Sequence, residues 1–345
     1  MAKRKSVLHP LLAKIATGKT LDAKEASAAF RALMTGAATP AEIGAFLMGL
    51  RVRGETVEEI TAAARVLRAR ALSIQAPAGA IDTCGTGGDA SGTLNVSTAA
   101  ALVVAGAGVP VAKHGNRALS SKCGSADVLE ALGVNLTTTP GRIRQAFRQA
   151  KIGFLFAPHH HQAMRHVAET RKQLGMRTIF NLLGPLANPA GARRQLLGVY
   201  SPDWVVPMAR VLKKLGTTRA WVVHGKDGLD ELTTTTTSFV ASLASGRVRS
   251  FEVVPEDAGL PRARPEMLKG GNARTNARAI ERLLDGKTGP FRDIVLLNAA
   301  AALIVAEKAR NLKQGVTLAA QAIDSGQAQA SLRKLVEITN AGKDA

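Results

Sequence analysis

Gly85-Thr86-Gly87-Gly88-Asp89 follows a short apolar stretch and leads into Asn95-Val96-Ser97-Thr98. Glycines let a backbone approach an anion closely. A helix opening at Asn95 would add free N–H groups and the positive end of its dipole. Ser97 and Thr98 would add hydroxyl donors. The combination suits a phosphate or pyrophosphate, and an ordinary tight strand-to-helix turn is the plainer alternative. No Gly-Lys-Ser/Thr follows, so this is not a Walker A loop, and it is not a GxGxxG fingerprint.

A second cluster is Lys113-His114-Gly115-Asn116-Arg117, continued by Ala118-Leu119-Ser120-Ser121-Lys122. The pattern predicts a loop directly after a strand at residues 109–112, where open α/β sheets bind ligands. Two cations, an imidazole and an amide could neutralise several phosphate oxygens; a solvated basic loop is the alternative. Further on, His224-Gly225-Lys226-Asp227-Gly228-Leu229-Asp230-Glu231 places adjacent carboxylates after another strand. Such a pair suits Mg²⁺, which takes one or two carboxylates plus water and substrate phosphates. Between these lie Arg171, Lys172 and Arg177, followed by Asn181-Leu182-Leu183-Gly184-Pro185-Leu186-Ala187-Asn188-Pro189. An arginine there could grip a carboxylate in bidentate fashion or merely belong to a basic helix face. His159-His160-His161 are consecutive, point in different directions and do not form a metal set. Cys84 has no activating base beside it and reads as a packing residue.

These residues need a scaffold. Residues 1–75 read as helical. Leu21 to Thr35 carries Ala26, Ala29, Phe30 and Leu33 at helical spacing, with Asp22 and Glu25 as a capping pair and Gly36 as a stop. A second helix opens at Thr39-Pro40-Ala41-Glu42 and ends near Gly54, and a third opens at Thr56-Val57-Glu58-Glu59. Three short amphipathic helices bury little alone and must pack together or on a second subunit. From residue 76 the pattern changes. Strands are predicted at 81–83, 109–112, 152–156, 196–199 and 220–223, with helical segments between them, one at about 97–107. That alternation predicts an α/β fold with a mainly parallel central sheet flanked by helices, preceded by the small helical domain. The expected division is 1–75 and 76–345, with a helical segment near 160–185 rejoining the first domain and a hinge at 76–79.

Composition bounds the partners. The chain has 345 residues, 46% hydrophobic, and a net charge of +20. It is not a disordered chain, and no apolar run is long enough to cross a membrane. The start lacks a secretory h-region, and two cysteines make no disulfide framework, so a cytoplasmic chain is expected. The charge attracts anions, from phosphates to nucleic acid. With 3% aromatics there are few platforms on which single-stranded bases could stack.

Taken in order, GTGGD, NVST, KHGNR, SS, GSADVLEALG, GFLFAP, R-x-x-L-G-x-R-T, FNLLGPLANP and HGxDGLDE resemble the anthranilate phosphoribosyltransferase family over essentially the whole chain. The resemblance implies transfer of a phosphoribosyl group from phosphoribosyl pyrophosphate to the amine of anthranilate, a step of tryptophan biosynthesis. It also implies two Mg²⁺ per monomer and a homodimer. Carried over, Gly85, Gly88, Asp89, Thr93, Asn95, Val96, Ser97 and Thr98 would hold phosphoribosyl pyrophosphate. So would Lys113, His114, Gly115, Asn116, Arg117, Ala118, Leu119, Ser120, Ser121 and Ser125. Gly85, Asn116 and Arg171 would contact anthranilate; Ser97, Asp230 and Glu231 would hold metal. No general acid or base is assigned, since an arylamine is already neutral at pH 7. Cys84, Cys123 and the high charge depart from the family's usual pattern. Two rival readings are a pyrimidine nucleoside phosphorylase and a non-enzymatic nucleic-acid-binding relative of the same fold.

Overall fold

The computed structural model describes residues 6–88, 91–118 and 122–342. Four helices open the chain: α1 (Leu8–Ala16), α2 (Ala23–Met34), α3 (Pro40–Arg53) and α4 (Val57–Arg70). Next come β1 (Ile81–Gly85), α5 (Val96–Gly106), β2 (Val111–Gly115), α6 (Ser125–Ala131), α7 (Pro140–Gln149) and β3 (Ile152–Phe156). The middle of the chain holds α8 (Ala157–His160), α9 (Arg165–Leu174), α10 (Ile179–Leu183), β4 (Arg194–Gly198), α11 (Val205–Lys214) and β5 (Arg219–Gly225). It ends with β6 (Ser238–Ala244), β7 (Arg247–Val253), α12 (Ala273–Leu284), α13 (Pro290–Val305), α14 (Leu312–Asp324) and α15 (Gln327–Asn340).

The opening three predicted helices are present, each with a reciprocal cap. Asp22 pairs with Glu25, Thr39 with Glu42 and Thr56 with Glu59, each cap contributing about 1 kcal/mol. α1 is an additional helix. It buries Leu8, Leu11 and Ile15, a pattern too short to stand out in the sequence.

The sheet runs β3-β2-β1-β4-β5-β6-β7. Its strands from β3 to β5 are parallel, so their C-terminal ends share one edge. β6 and β7 continue it antiparallel and lie beyond the strands that the sequence predicts. α5 and α12–α15 pack with one face of the sheet in a single core, while α11 covers the other. That second core runs unbroken into the helical bundle through α10, whose Ile179, Phe180, Leu182 and Leu183 pack with α1–α4. Phe30 meets Phe46 and Phe180 edge-to-face, at centroid distances of 5.4 and 6.2 Å; such a pair adds roughly 0.5–1.5 kcal/mol beyond its buried area.

Three chain crossings, at 71–80, 157–164 and 184–193, join the bundle to the sheet, and the first bonds to the other two. Leu72 N–H donates to the His160 carbonyl, Ile74 N–H to Pro189 and Ala76 N–H to Ala190. Beside them Asn188 Nδ2 donates to Asp82 Oδ2 and to the Ala112 carbonyl, both at 2.8 Å. Among the described residues no helix is long and apolar enough to cross a membrane.

Candidate active site

β1 and β4 end level with one another, Gly85 opposite Gly198. Both ends must be glycine because the chain after β5 crosses directly over them. A Cβ on Gly198 would lie 1.5 Å from the Asp230 carbonyl oxygen. That crossing delivers Asp230 and Glu231 to the C-terminal edge of the sheet. Asp230 Oδ2 accepts the Gly87 N–H at 2.7 Å, and Glu231 Oε1 accepts the Ser97 N–H at 3.1 Å. The glycine turn and the first turn of α5 are thus both tied to the carboxylate pair. The turn is fixed further along: Thr86 N–H donates to the Gly198 carbonyl, and Tyr200 N–H donates to Thr86 Oγ1 at 3.0 Å.

These groups border a cavity of about 810 Å³. Every described residue that the sequence nominated lines it: 85, 88, 93, 95–98, 113–118, 125, 171, 230 and 231. Asp89, Leu119, Ser120 and Ser121 lie outside the described residues. Sequence reasoning missed Arg165, Gln162 and His161, which also line the cavity. A wall contributed by α9 and the segment before it was the signal available, given Arg171.

The strand before the basic cluster is not where the pattern puts it. β2 begins at Val111 and runs through Gly115, so Lys113 and His114 are buried strand residues rather than loop residues. Lys113 is 1% exposed and its ammonium donates to the Thr83 carbonyl at 2.6 Å. Burial lowers its pKa, against the opposing charges of Asp82 and Glu231. Arg117 also departs from the picture of a free phosphate cation. Its guanidinium holds Glu130 at 2.7 and 3.0 Å and Asp127 at 3.1 Å, which raises its pKa. Asn95 is likewise spent on structure: its Nδ2 donates to the Cys123 carbonyl and its Oδ1 accepts from Asn276 Nδ2.

Burial, with the neighbouring Asp230 charge, pushes the Glu231 carboxyl up to about 8. A divalent cation is the kind of group that would hold both carboxylates ionised. The donors are hard oxygens, as Mg²⁺ prefers. Among the described residues no three His, Cys, Asp or Glu side chains converge, so such an ion would complete its shell with water and substrate oxygens. The Thr98 hydroxyl, in the first turn of α5, is buried against the cavity without a partner among the described residues, as a cradle for an anion requires.

His114 and His161 stack edge-to-face at 5.2 Å in the cavity wall. Their Nε2 atoms are buried without partners among the described residues. Burial pulls their pKa values down to about 3 and about 4, so both are neutral at pH 7. Arg171, from α9 on the bundle side, lies over the Phe180 ring at 4.9 Å. Burial lowers its pKa, it lines the cavity, and among the described residues no carboxylate is bonded to it. Cys84 is buried, and burial drives its thiol well above the usual range, consistent with packing.

The same architecture recurs in known proteins. Residues 78–329 match the family described as glycosyl transferase family, a/b domain, and residues 9–71 match glycosyl transferase family, helical bundle domain. The chain is 63% identical to the anthranilate phosphoribosyltransferase of Azospirillum brasilense, covering 96% of this chain and 93% of that one. The crystal structure of the enzyme from Thermus thermophilus superposes with a TM-score of 0.91 at 46% identity, covering 96% of this chain and 99% of that one. The Saccharomyces cerevisiae enzyme in complex with phosphoribosyl pyrophosphate and Mg superposes with a TM-score of 0.89 at 27% identity, covering 98% and 99%.

Proposed function

The chain belongs to the anthranilate phosphoribosyltransferase family, and from that premise we infer how its cavity performs the transfer. The enzyme moves the phosphoribosyl group of phosphoribosyl pyrophosphate onto the amine of anthranilate, in tryptophan biosynthesis. The observation that carries the site reading is the provenance of its charges. Arg171 enters from the bundle side, and Asp230, Glu231 and the α5 N-terminus enter from the sheet edge, around one cavity.

In the reaction the C1–oxygen bond of the ribose breaks and both electrons leave with pyrophosphate. A C1–nitrogen bond forms from the amine lone pair. The chain's task is to align the two partners and stabilise the departing charge. We assign the pyrophosphate to the Gly85–Gly88 turn with Asp89, to Thr93, and to Asn95 through Thr98. Lys113 through Ser121, with Ser125, would wrap it on the other side. Lys113 stands beneath, its ammonium on the Thr83 carbonyl, and the buried Thr98 hydroxyl faces the cavity as a donor, while the Ser97 N–H is held by Glu231. Arg171 would hold the anthranilate carboxylate, with Gly85 and Asn116 beside the ring. Bound Mg²⁺ would screen the pyrophosphate charge; Asp230, Glu231 and Ser97 are its protein ligands in this reading, with two ions per monomer. The amine needs no strong base to become nucleophilic; once the C1–nitrogen bond has formed, the proton passes from nitrogen to the departing pyrophosphate or to water.

Residues 1–75 and the segment near 160–185 act, in this reading, as one body hinged at 76–79 to the rest, closing to exclude water. Substrate-dependent slowing of hydrogen exchange at the hinge would support closure, and unchanged exchange would count against it. A homodimer through the bundle would cover Val7 and Val52, which are exposed there. A cytoplasmic enzyme fits this activity.

The deciding experiment follows anthranilate fluorescence on adding protein, phosphoribosyl pyrophosphate and Mg²⁺. A decay that needs all three supports the reading. No decay with folded protein would overturn it.

A further inference from the structure

Arg177 sits three residues beyond α9, immediately before α10 anchors the chain in the helical bundle. It is exposed and is not part of the cavity lining. Yet its guanidinium lies 4.4 Å over the Tyr200 ring, and its Nη2 donates to the Gly88 carbonyl. Tyr200 in turn donates its N–H to Thr86. Arg177 and Tyr200 therefore reach both ends of the Thr86–Gly88 turn from behind, while Asp230 holds Gly87 from the cavity side.

We propose that Arg177, stacked on Tyr200, is a positioning residue that sets the glycine turn for the pyrophosphate of the sugar substrate. The physical reason is the direction of one dipole. A free Gly88 carbonyl could rotate its negative end toward the phosphates, because glycine turns easily; Gly87 and Gly88 have φ of 66° and 72°. A guanidinium bonded to that carbonyl holds it in place by a charge-assisted hydrogen bond. The Tyr200 face holds the guanidinium in turn. Because Arg177 belongs to the chain entering α10, the Gly88 end of the turn is held from the bundle side, while Gly198, Tyr200 and Asp230 hold the rest from the sheet edge.

The inference rests on the proposed site, and its test separates the two. KM for each substrate, kcat and thermal midpoint are measured for the unmodified protein, Arg177→Ala, Arg177→Lys, Tyr200→Leu and Tyr200→Phe. We expect Arg177→Ala and Tyr200→Leu to raise KM for phosphoribosyl pyrophosphate about tenfold, the scale of one such bond. KM for anthranilate and the melting midpoint should stay within about twofold and about 2 °C. Tyr200→Phe, which keeps the ring, should behave as unmodified protein, and Arg177→Lys should rescue only in part. Millimolar free guanidinium should restore part of the Arg177→Ala loss. An unchanged KM for phosphoribosyl pyrophosphate in Arg177→Ala would overturn the proposal, as would an equal rise for both substrates or a fall confined to kcat. Should the unmodified protein show no turnover, calorimetry with Mg²⁺-pyrophosphate replaces kinetics. Weaker binding by Arg177→Ala than by unmodified protein then upholds the role, and equal binding removes it.

Discussion

A methyl group on Gly85 would stand 2.2 Å from Oδ2 of Asp230. That oxygen is the one bonded to the Gly87 N–H. Gly85→Ala must therefore displace Asp230 or the turn. We expect kcat/KM to fall about a hundredfold, comparable to loss of a positioned electrostatic group, while circular dichroism stays native. Near-normal turnover would show that the carboxylate need not stand where it does.

Glu231 is a carboxylate buried beside another, an arrangement that costs stability when no cation is present. Glu231→Gln removes the group whose ionisation burial and Asp230 oppose, its carboxyl being pushed up to about 8, and keeps the shape. The metal-free variant should be more stable than the unmodified protein by about 1 kcal/mol, in denaturant titration. Its activity should fall by two orders of magnitude or so. Opposite signs for stability and turnover identify a group retained for chemistry, and a loss of both would assign it to the fold.

His114 and His161 are neutral in the fold well below the pH at which they would protonate in an unfolded chain. Their folded values of about 3 and about 4 lie under the ordinary value of about 6.5. Below pH 6.5 the unfolded state binds protons that the folded state refuses, so stability declines as pH falls. Each histidine contributes a slope of up to about 1.4 kcal/mol per pH unit, His161 down to pH 4 and His114 further. Unfolding free energies at pH 7 and pH 5 for the unmodified protein and His161→Gln should show the smaller difference in the variant. Equal differences would refute the buried-imidazole account.

Arg171 and Arg177 are six positions apart and predict opposite kinetic signatures. Arg171→Ala should raise KM for anthranilate by roughly a hundredfold, the scale of a lost bidentate carboxylate contact, with little change for the sugar substrate. Anthranilate analogues lacking the carboxylate should bind both forms equally. A shared defect in both substrates would mean that Arg171 supports the wall rather than the ligand.

Asn188 donates to a buried carboxylate on β1 and to a carbonyl on β2. Asn188→Asp would face Asp82 with a second buried carboxylate. We expect a loss of about 3–5 kcal/mol, as for a broken buried pair, read as a drop in the urea midpoint. Asn188→Asp with unchanged stability would mean the crossing is held by its backbone bonds alone.

The capped helices are legible because their signals are local: Thr39 and Glu42, or Thr56 and Glu59, lie three residues apart. The parallel strands are legible from short apolar runs between helical segments. The hairpin of β6 and β7 is not, because β7 is exposed on both faces, with Arg247, Arg249 and Phe251 on one and Ser250 and Glu252 on the other, so it shows no apolar–polar alternation. At the site the sequence supplies residue types and misses their commitments. Arg117 reads as a free cation until Glu130, thirteen positions on, is seen to hold it. The contact of Arg177 with Gly88 spans 89 positions, and no spacing rule reaches that far. Lys113 reads as a loop residue because a lysine inside a strand runs against propensity, and the Thr83 carbonyl supplies the missing partner.

The bundle's apolar face is closed by α10, and that has a cost in time. During synthesis α1–α4 leave the ribosome first, but Phe180 and its neighbours, against which Phe30 packs, follow only about 110 residues later. At about 5–20 residues per second, the nascent helices wait roughly 5–20 seconds with an oily flank uncovered. A first-made segment that is completed last is a natural client for chaperones, and changes that slow translation between residues 70 and 183 would be felt in yield rather than in catalysis.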